Sequence, residues 1–237
     1  AARKCNIPDG VFSLIQGKSH DTGLSLVKHP SIKAVGFTGS YQGGKALFDT
    51  ANQRPEPIPV YAEMGSTNPL FILPGASKAR KKELAEQFAA SVSLGVGQFC
   101  TCPGLAIGVA SDEMSGFVEK SKAAFTAISR GTMLTSAIQD AYQEAATDFA
   151  SLEGVQLAAS SEGNGQGAAA RLFLATARVL KQHPQLQEEV FGPSTLLVTA
   201  ENKEALLQVA RELKGHLTAA VHATEEDLKN YPELFPI

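Results

Sequence analysis

Ile32-Lys33-Ala34-Val35-Gly36-Phe37 is a short apolar run that reads as a β-strand, and its flanks decide the fold. Upstream, Val11-Phe12-Ser13-Leu14-Ile15 reads as a strand, and Asp21 to Lys28 reads as a helix closed by His29-Pro30. Downstream, Ser40 opens a helix that runs to about Ala51, and Ile58-Pro59-Val60-Tyr61-Ala62 reads as a third strand. Parallel strands need crossover connections, whereas antiparallel neighbours can be joined by a tight turn. Strand, helix, strand, helix, strand in one short segment is therefore the pattern of a parallel sheet covered by helices.

The same rhythm continues along the chain. Leu84, Phe88 and Val92 recur at helical spacing, so a helix from Ser77 buries one face and runs toward Cys100. Ile138, Ala141, Tyr142, Ala145 and Phe149 share another face. Leu206, Val209, Ala210 and Leu213 share a third, with Gly215 as its C-cap. Leu105 to Ala110, Val155 to Ala159, Leu172 to Ala175, Ser194 to Val198 and Leu217 to His222 read as strands. Ser160 to Gly167, rich in Gly, Ser and Asn, reads as a surface loop. The expected class is α/β with parallel-rich sheets covered by helices. The chain opens as if in mid-helix and stops at Phe235-Pro236-Ile237 without a closing strand, as a piece truncated at both ends would.

Composition narrows the function classes. A chain of 237 residues with 43% hydrophobic and 19% charged residues can bury a sizeable core. A net charge of −3 offers nothing to nucleic acid or an anionic membrane, and Arg80-Lys81-Lys82 is offset by Glu83 and Glu86. No run reaches the ~18 apolar residues of a membrane span, and the N-terminus lacks a signal-peptide core. Three cysteines suit free thiols in a reducing compartment, so the cytoplasm is the expected location. The pair Cys100 and Cys102, with five scattered histidines, lacks the ligand set of a zinc site, and no metal is expected.

Four places could carry chemistry. Cys100 follows Gly95-Val96-Gly97-Gln98-Phe99, where glycines allow unusual backbone geometry and close approach of a substrate, as a nucleophilic thiol requires. On those residues alone it could equally be structural. Glu63 ends a strand, where catalytic groups collect in parallel sheets, though a lone Glu there can be a plain surface residue. Gly36-Phe37-Thr38-Gly39-Ser40 leaves a strand and opens a helix, whose first-turn N–H groups suit a phosphate. Ser40 could bind that phosphate or merely cap the helix. Glu189-Val190-Phe191-Gly192-Pro193 is the fourth motif.

These motifs, together with Glu63-Met64-Gly65-Ser66-Thr67-Asn68-Pro69 and Gly97-Gln98-Phe99-Cys100, resemble in order and spacing the aldehyde dehydrogenase superfamily. The resemblance spans nearly the whole chain. It implies NAD(P)-dependent oxidation of an aldehyde to a carboxylic acid, with NAD or NADP as cofactor. By the same resemblance Cys100 is the nucleophile and Glu63 the general base. Ser40 and Gly39 lie at the cofactor pyrophosphate, Glu189 at the nicotinamide ribose and Phe191 beside the nicotinamide. Residues 1–63 are then the end of the dinucleotide-binding domain and 64–237 most of the catalytic domain, within a longer homo-oligomeric parent. Met64-Gly65-Ser66-Thr67 departs from the family's common Leu-Gly-Gly-Lys and points to the branch that oxidises α-ketoglutaric semialdehyde; Cys102 stands where that branch is expected to carry Asn. Two other readings stay open: a catalytically incomplete piece that acts only in association, or a cofactor-independent thiol esterase using Cys100 and Glu63.

Overall fold

The computed structural model describes residues 2–17, 19–161 and 167–236, and the side chains of residues 4 onward within them. The chain divides into two compact units, Ala1–Gly65 and Ser66–Ile237.

In the first unit, α1 (Asp21–Lys28), β1 (Val35–Gly39), α2 (Tyr41–Asn52) and β2 (Val60–Met64) follow a short 3-10 turn at Ala2–Cys5. β1 and β2 pair in parallel with Val35 opposite Val60 and Gly39 opposite Met64. The connecting α2 makes this a crossover unit, as the alternation predicts. Its small core is Val27, Ala51 and Ile58, with Ile32, Val35, Leu47 and Val60 packed around it. Arg54 closes the end of α1 by donating to the carbonyls of Val27 (2.8 Å) and Ile32 (3.0 Å).

Two expectations for this unit are corrected. Val11 to Ile15 is not a strand: it is irregular, and Val11, Phe12, Leu14 and Ile15 are 57 to 74% exposed. Apolar, β-branched composition favours extended backbone, but a strand also needs a partner for its N–H and C=O groups. Among the described residues none pairs with this segment. The strand at Ile32–Phe37 is displaced to Val35–Gly39, so Thr38 and Gly39 belong to β1 and not to the turn after it.

The second unit is built on a six-stranded sheet in the order β5-β6-β7-β4-β3-β8, comprising β3 (Leu70–Ile72), β4 (Leu105–Val109), β5 (Gln156–Ser160), β6 (Arg171–Thr176), β7 (Ser194–Ala200) and β8 (Ala220–His222). All neighbours are parallel except β5 and β6, at one edge. The central strands are buried on both faces, which is why they read as continuous apolar runs. Successive residues go to opposite sides. Leu105, Ile107, Phe173, Leu196 and Val198 face one core with Tyr142, Ala146, Leu206 and Val209. Ala106, Leu172 and Leu197 face the other with Leu84, Phe88, Phe117 and Phe125. The helices covering these faces are α3 (Pro74–Ser93) and α4 (Asp112–Thr126) on one side, with α5 (Ser136–Ser151) and α7 (Lys203–Glu212) on the other. Phe88 joins α3 to α4 through ring centroid distances of 5.9 Å to Phe117 and 5.8 Å to Phe125.

Short helices α6 (Ala177–Gln182) and α8 (Glu225–Asn230) complete the unit. The start of α3 is held from α8: Gly75 and Ala76 donate their N–H groups to the Asp227 carboxylate at 2.8 and 3.0 Å. Gly215 is not a C-cap. α7 ends at Glu212, and the residue that stops it, Leu213, is extended. Leu217 to His222 shortens to a strand of three residues, Ala220–His222; the Leu217 N–H goes instead to Ser66 Oγ. In the expected loop Ser160 to Gly167, residues 162–166 lie outside the described residues. No helix among the described residues is long and apolar enough to cross a membrane, and no group of three His, Cys, Asp or Glu side chains among them could hold a metal.

Candidate active site

α3 stops at Ser93, and the chain then makes a turn with three consecutive left-handed residues: Gly95 (φ 55°), Val96 (φ 60°) and Gly97 (φ 67°). A β-branched residue there costs on the order of 1–3 kcal/mol, so the surroundings must hold it. Gln98 supplies part of that support, donating from Nε2 to the Gly95 carbonyl (3.0 Å) and accepting the Leu134 N–H (2.9 Å). Gly97 supplies the rest by packing backbone to backbone. A Cβ at this position would overlap the Gly192 carbonyl and the Pro193 nitrogen. Gly192 in turn lies against the ring of Tyr142, whose hydroxyl donates to the Ala169 carbonyl at 2.6 Å. The glycines of Gly97-Gln98-Phe99-Cys100 and Glu189-Val190-Phe191-Gly192-Pro193 are thus there for each other.

This turn presents two thiols differently. Cys100 is exposed, with half-exposed Phe99 beside it. Cys102 is half-buried, its Sγ donates to the Val92 carbonyl (3.6 Å), and burial, aided by the negative charge of Glu189, pushes its thiol up to about 12. Cys102 is therefore a neutral, inward thiol at any ordinary pH. Glu189 is partly buried and its carboxyl is raised by desolvation, against the pull of the Ser66 backbone N–H. Phe191, in the same motif, is partly exposed.

Sequence reasoning passed over Asn68. It is buried, left-handed (φ 45°), and its Nδ2 donates to the carbonyls of both Cys100 and Cys102 at 2.9 Å. Beside it, Thr67 N–H and Oγ1 lie 3.4 and 3.3 Å from Nδ1 of His216, whose ring is held below its ordinary pKa by burial. The position lay inside a quoted motif, yet nothing in the neighbouring residues signals a contact with the thiol turn.

In the first unit the parallel register puts Glu63 opposite Thr38 and Met64 opposite Gly39. Glu63, Gly39 and Ser40 therefore share the C-terminal end of the two-stranded sheet, where ligands gather in such folds. Glu63 and Ser40 are both exposed. Ser40 is the N-cap of α2, its Oγ accepting the Gly43 N–H at 3.2 Å. Gly44 lets α2 approach β2 so closely that a Cβ would overlap the Met64 side chain. Glu63, Gly39 and Ser40 thus come together in one unit, while Cys100, Glu189 and Phe191 come together in the other.

A family model described as "Aldehyde dehydrogenase family" matches residues 1–231. The chain belongs to the aldehyde dehydrogenase family. Among curated aldehyde dehydrogenases, it is 39% identical over 239 residues to alpha-ketoglutaric semialdehyde dehydrogenase 2 of Azospirillum brasilense, covering 100% of this chain and 46% of that protein. It is also 39% identical over 235 residues to alpha-ketoglutaric semialdehyde dehydrogenase of Acinetobacter baylyi, covering 96% of this chain and 44% of that one. The chain thus spans somewhat less than half the length of these relatives. Among solved structures, an NAD-dependent benzaldehyde dehydrogenase from Corynebacterium glutamicum superposes with a TM-score of 0.79 over 96% of this chain and 50% of its own, at 23% identity. The aldehyde dehydrogenase fold accounts for the α/β class and the parallel-rich sheet described above.

Proposed function

We propose that the protein containing this chain oxidises an aldehyde to a carboxylic acid with NAD or NADP, and that Cys100 is its nucleophile. The observation that carries this reading is the contrast between the two thiols of one turn. Cys100 is presented outward, and Cys102 is turned inward with its proton held. The 39% identity to two alpha-ketoglutaric semialdehyde dehydrogenases supports that 2-oxo semialdehyde, or a close analogue, as substrate.

On this reading the first unit is the end of the dinucleotide-binding domain and the second is most of the catalytic domain. The residues present fit a dinucleotide. The first turn of α2 follows Gly39 and Ser40 with its N–H groups at the strand end, a setting that favours a pyrophosphate. Glu189 offers a carboxylate for a ribose hydroxyl, and Phe191 an exposed ring for a flat heterocycle. When bound, the dinucleotide supplies the hydride acceptor. The rest is done by side chains. The Cys100 thiolate adds to the aldehyde carbon, giving a thiohemiacetal whose oxyanion needs preorganised N–H donors. Oxidation leaves a thioester on Cys100. Glu63 then takes a proton from water, which attacks the thioester carbonyl, releases the acid and restores the thiol.

The test is reduced-nicotinamide absorbance after mixing the chain with α-ketoglutaric semialdehyde and either NAD or NADP. The expected result is turnover that disappears in Cys100→Ala and persists within a few-fold in Cys102→Ala. Loss in Cys102→Ala with retention in Cys100→Ala would sink the assignment. Ester hydrolysis without any use of cofactor would point instead to a thiol esterase.

A further inference from the structure

We propose that Asn68 is the positioning residue for the Cys100 nucleophile: its side-chain amide clamps the carbonyls of Cys100 and Cys102 and so sets how the thiol is presented. The inference rests on the reading of Cys100 as nucleophile and adds a part to it.

The geometry is saturated. A side-chain amide has two N–H donors and one oxygen with two lone pairs. Here Nδ2 donates to the carbonyls of Cys100 and Cys102, each at 2.9 Å, with the Ser66 carbonyl a more distant third acceptor at 3.3 Å. Oδ1 accepts from the Ser66 hydroxyl and from the Thr218 hydroxyl, each at 2.9 Å. A flipped amide would set its oxygen against two carbonyls and its NH2 against two hydroxyls, so the network fixes one orientation. Asn68 is 4% exposed, and a buried amide with all its partners is rigid as well as costly to disturb. Its backbone sits at φ 45°, which Asn tolerates better than most side chains.

The Cys102 N–H reaches the Phe99 carbonyl at 3.0 Å and the Cys102 carbonyl also accepts the Gly104 N–H at 2.9 Å, whereas among the described residues the Cys100 and Thr101 N–H groups make no backbone hydrogen bond. The Cys100–Thr101 and Cys102–Pro103 peptides are thus oriented through their carbonyls; Asn68 holds both, the second together with the Gly104 N–H. The same clamp keeps Cys102 inward, since its carbonyl is the second one held. Ser66 completes the arrangement: its Oγ touches Asn68 and also accepts the Leu217 N–H at 2.9 Å. Ser66 and Asn68 are thereby tied to the thiol turn and to the chain entering β8.

Two variants separate the amide from the backbone requirement. Asn68→Gly accepts the left-handed φ and deletes the amide; Asn68→Asp keeps the shape and replaces the donor with an acceptor facing two carbonyls. Each is mixed with p-nitrophenyl acetate, and the burst of p-nitrophenolate is followed as acylation of Cys100, with Cys100→Ser as blank. In parallel, iodoacetamide labelling is read residue by residue at Cys5, Cys100 and Cys102, and thermal melts confirm folding. Both variants should lose about 100-fold in the burst rate constant at saturating ester, with little change in the half-saturating concentration. Labelling at Cys102 should rise more than tenfold while exposed Cys5 is unchanged. A folded Asn68→Gly protein with native burst rate and protected Cys102 overturns the proposal. If the unmodified chain shows no burst above the Cys100→Ser blank, the nucleophile assignment fails separately. Cys102 labelling then decides the clamp alone: a rise sustains it and unchanged labelling overturns it.

Discussion

Two glycine-bearing turns in this molecule hold candidate site residues, and they are built in opposite ways. The turn at Gly39-Ser40 in the first unit is a plain strand-to-helix junction. Its polar needs are met locally, Gly43 donating to Ser40 three residues away. The turn at Gly95–Cys100 in the second unit is left-handed over three residues and supported from a distance, by Asn68, Leu134 and Gly192-Pro193. A helix start that offers N–H groups to a phosphate needs only its own backbone. A reactive thiol has to be aimed, and an unfavourable backbone can be kept only where the neighbours over-determine it. Distant support, more than glycine content, distinguishes the turn that holds the proposed nucleophile.

That contrast can be broken by adding one methyl group to each turn. Gly97→Ala forces a side chain onto φ 67° and into the Gly192 carbonyl, and should cost about 4 kcal/mol by combining steric overlap with backbone strain. Gly43→Ala meets the edge of the Phe37 ring at 3.0 Å and Ser40 Oγ at 3.3 Å, both side-chain atoms that can give, and should cost about 1 kcal/mol. Urea unfolding of the two variants checks this. Equal losses would mean that the thiol turn is no more constrained than the helix start.

The helix starts of the two units give a second contrast, of intermediate size. α3 is held by a charge: Asp227 accepts from Gly75, Ala76 and the Thr224 backbone and hydroxyl. Burial alone would raise this carboxyl, but those donors outweigh it and hold it below its ordinary value. A carboxyl depressed in the folded state stabilises fully above its unfolded pKa of about 3.9. That contribution is lost as pH falls through the lower, folded value. α2 is capped by the neutral hydroxyl of Ser40 and has no such dependence. Asp227→Asn should therefore cost about 2 kcal/mol at pH 7 and progressively less as pH falls below the unfolded value of about 3.9. Amide hydrogen exchange at Gly75 and Ala76 should speed up in acid ahead of that at Gly43 and Gly44. A variant equally destabilised at neutral pH and in acid would show that shape, not charge, holds α3.

The smallest effect belongs to the local turn. Ser40→Ala should cost about 1 kcal/mol, the usual value of a lost N-cap, and should weaken NAD or NADP binding without touching Cys100 labelling. Isothermal titration alongside labelling reads both quantities.

How much could be read in advance follows the same division between local and distant. β4 and β7 were legible because strands buried on both faces are continuous apolar runs, and α3 because Leu84, Phe88 and Val92 keep helical spacing. The covering helix α4 was passed over although Met114, Phe117, Val118 and Phe125 lie on one face; Gly116 and Ser115 between them thin the pattern. Val11 to Ile15 misled because its composition is that of a strand while its pairing is not written in its own residues. Cys100, Glu63, Ser40 and Glu189 could be named from their motifs. Asn68 could not, because its partners at Cys100, Cys102 and Thr218 lie 32, 34 and 150 residues away in the chain.

On the proposed mechanism Cys100 carries the acyl group and Glu63 activates the water that removes it. The most direct measurement is intact and peptide mass spectrometry of Glu63→Gln after brief mixing with α-ketoglutaric semialdehyde and NAD or NADP. An acyl adduct should accumulate on the peptide holding Cys100, localise to that residue and be absent from the Cys100→Ala, Glu63→Gln double variant. An adduct on Cys102, or a Cys100 adduct that Glu63→Gln hydrolyses as fast as the native chain, would contradict the mechanism.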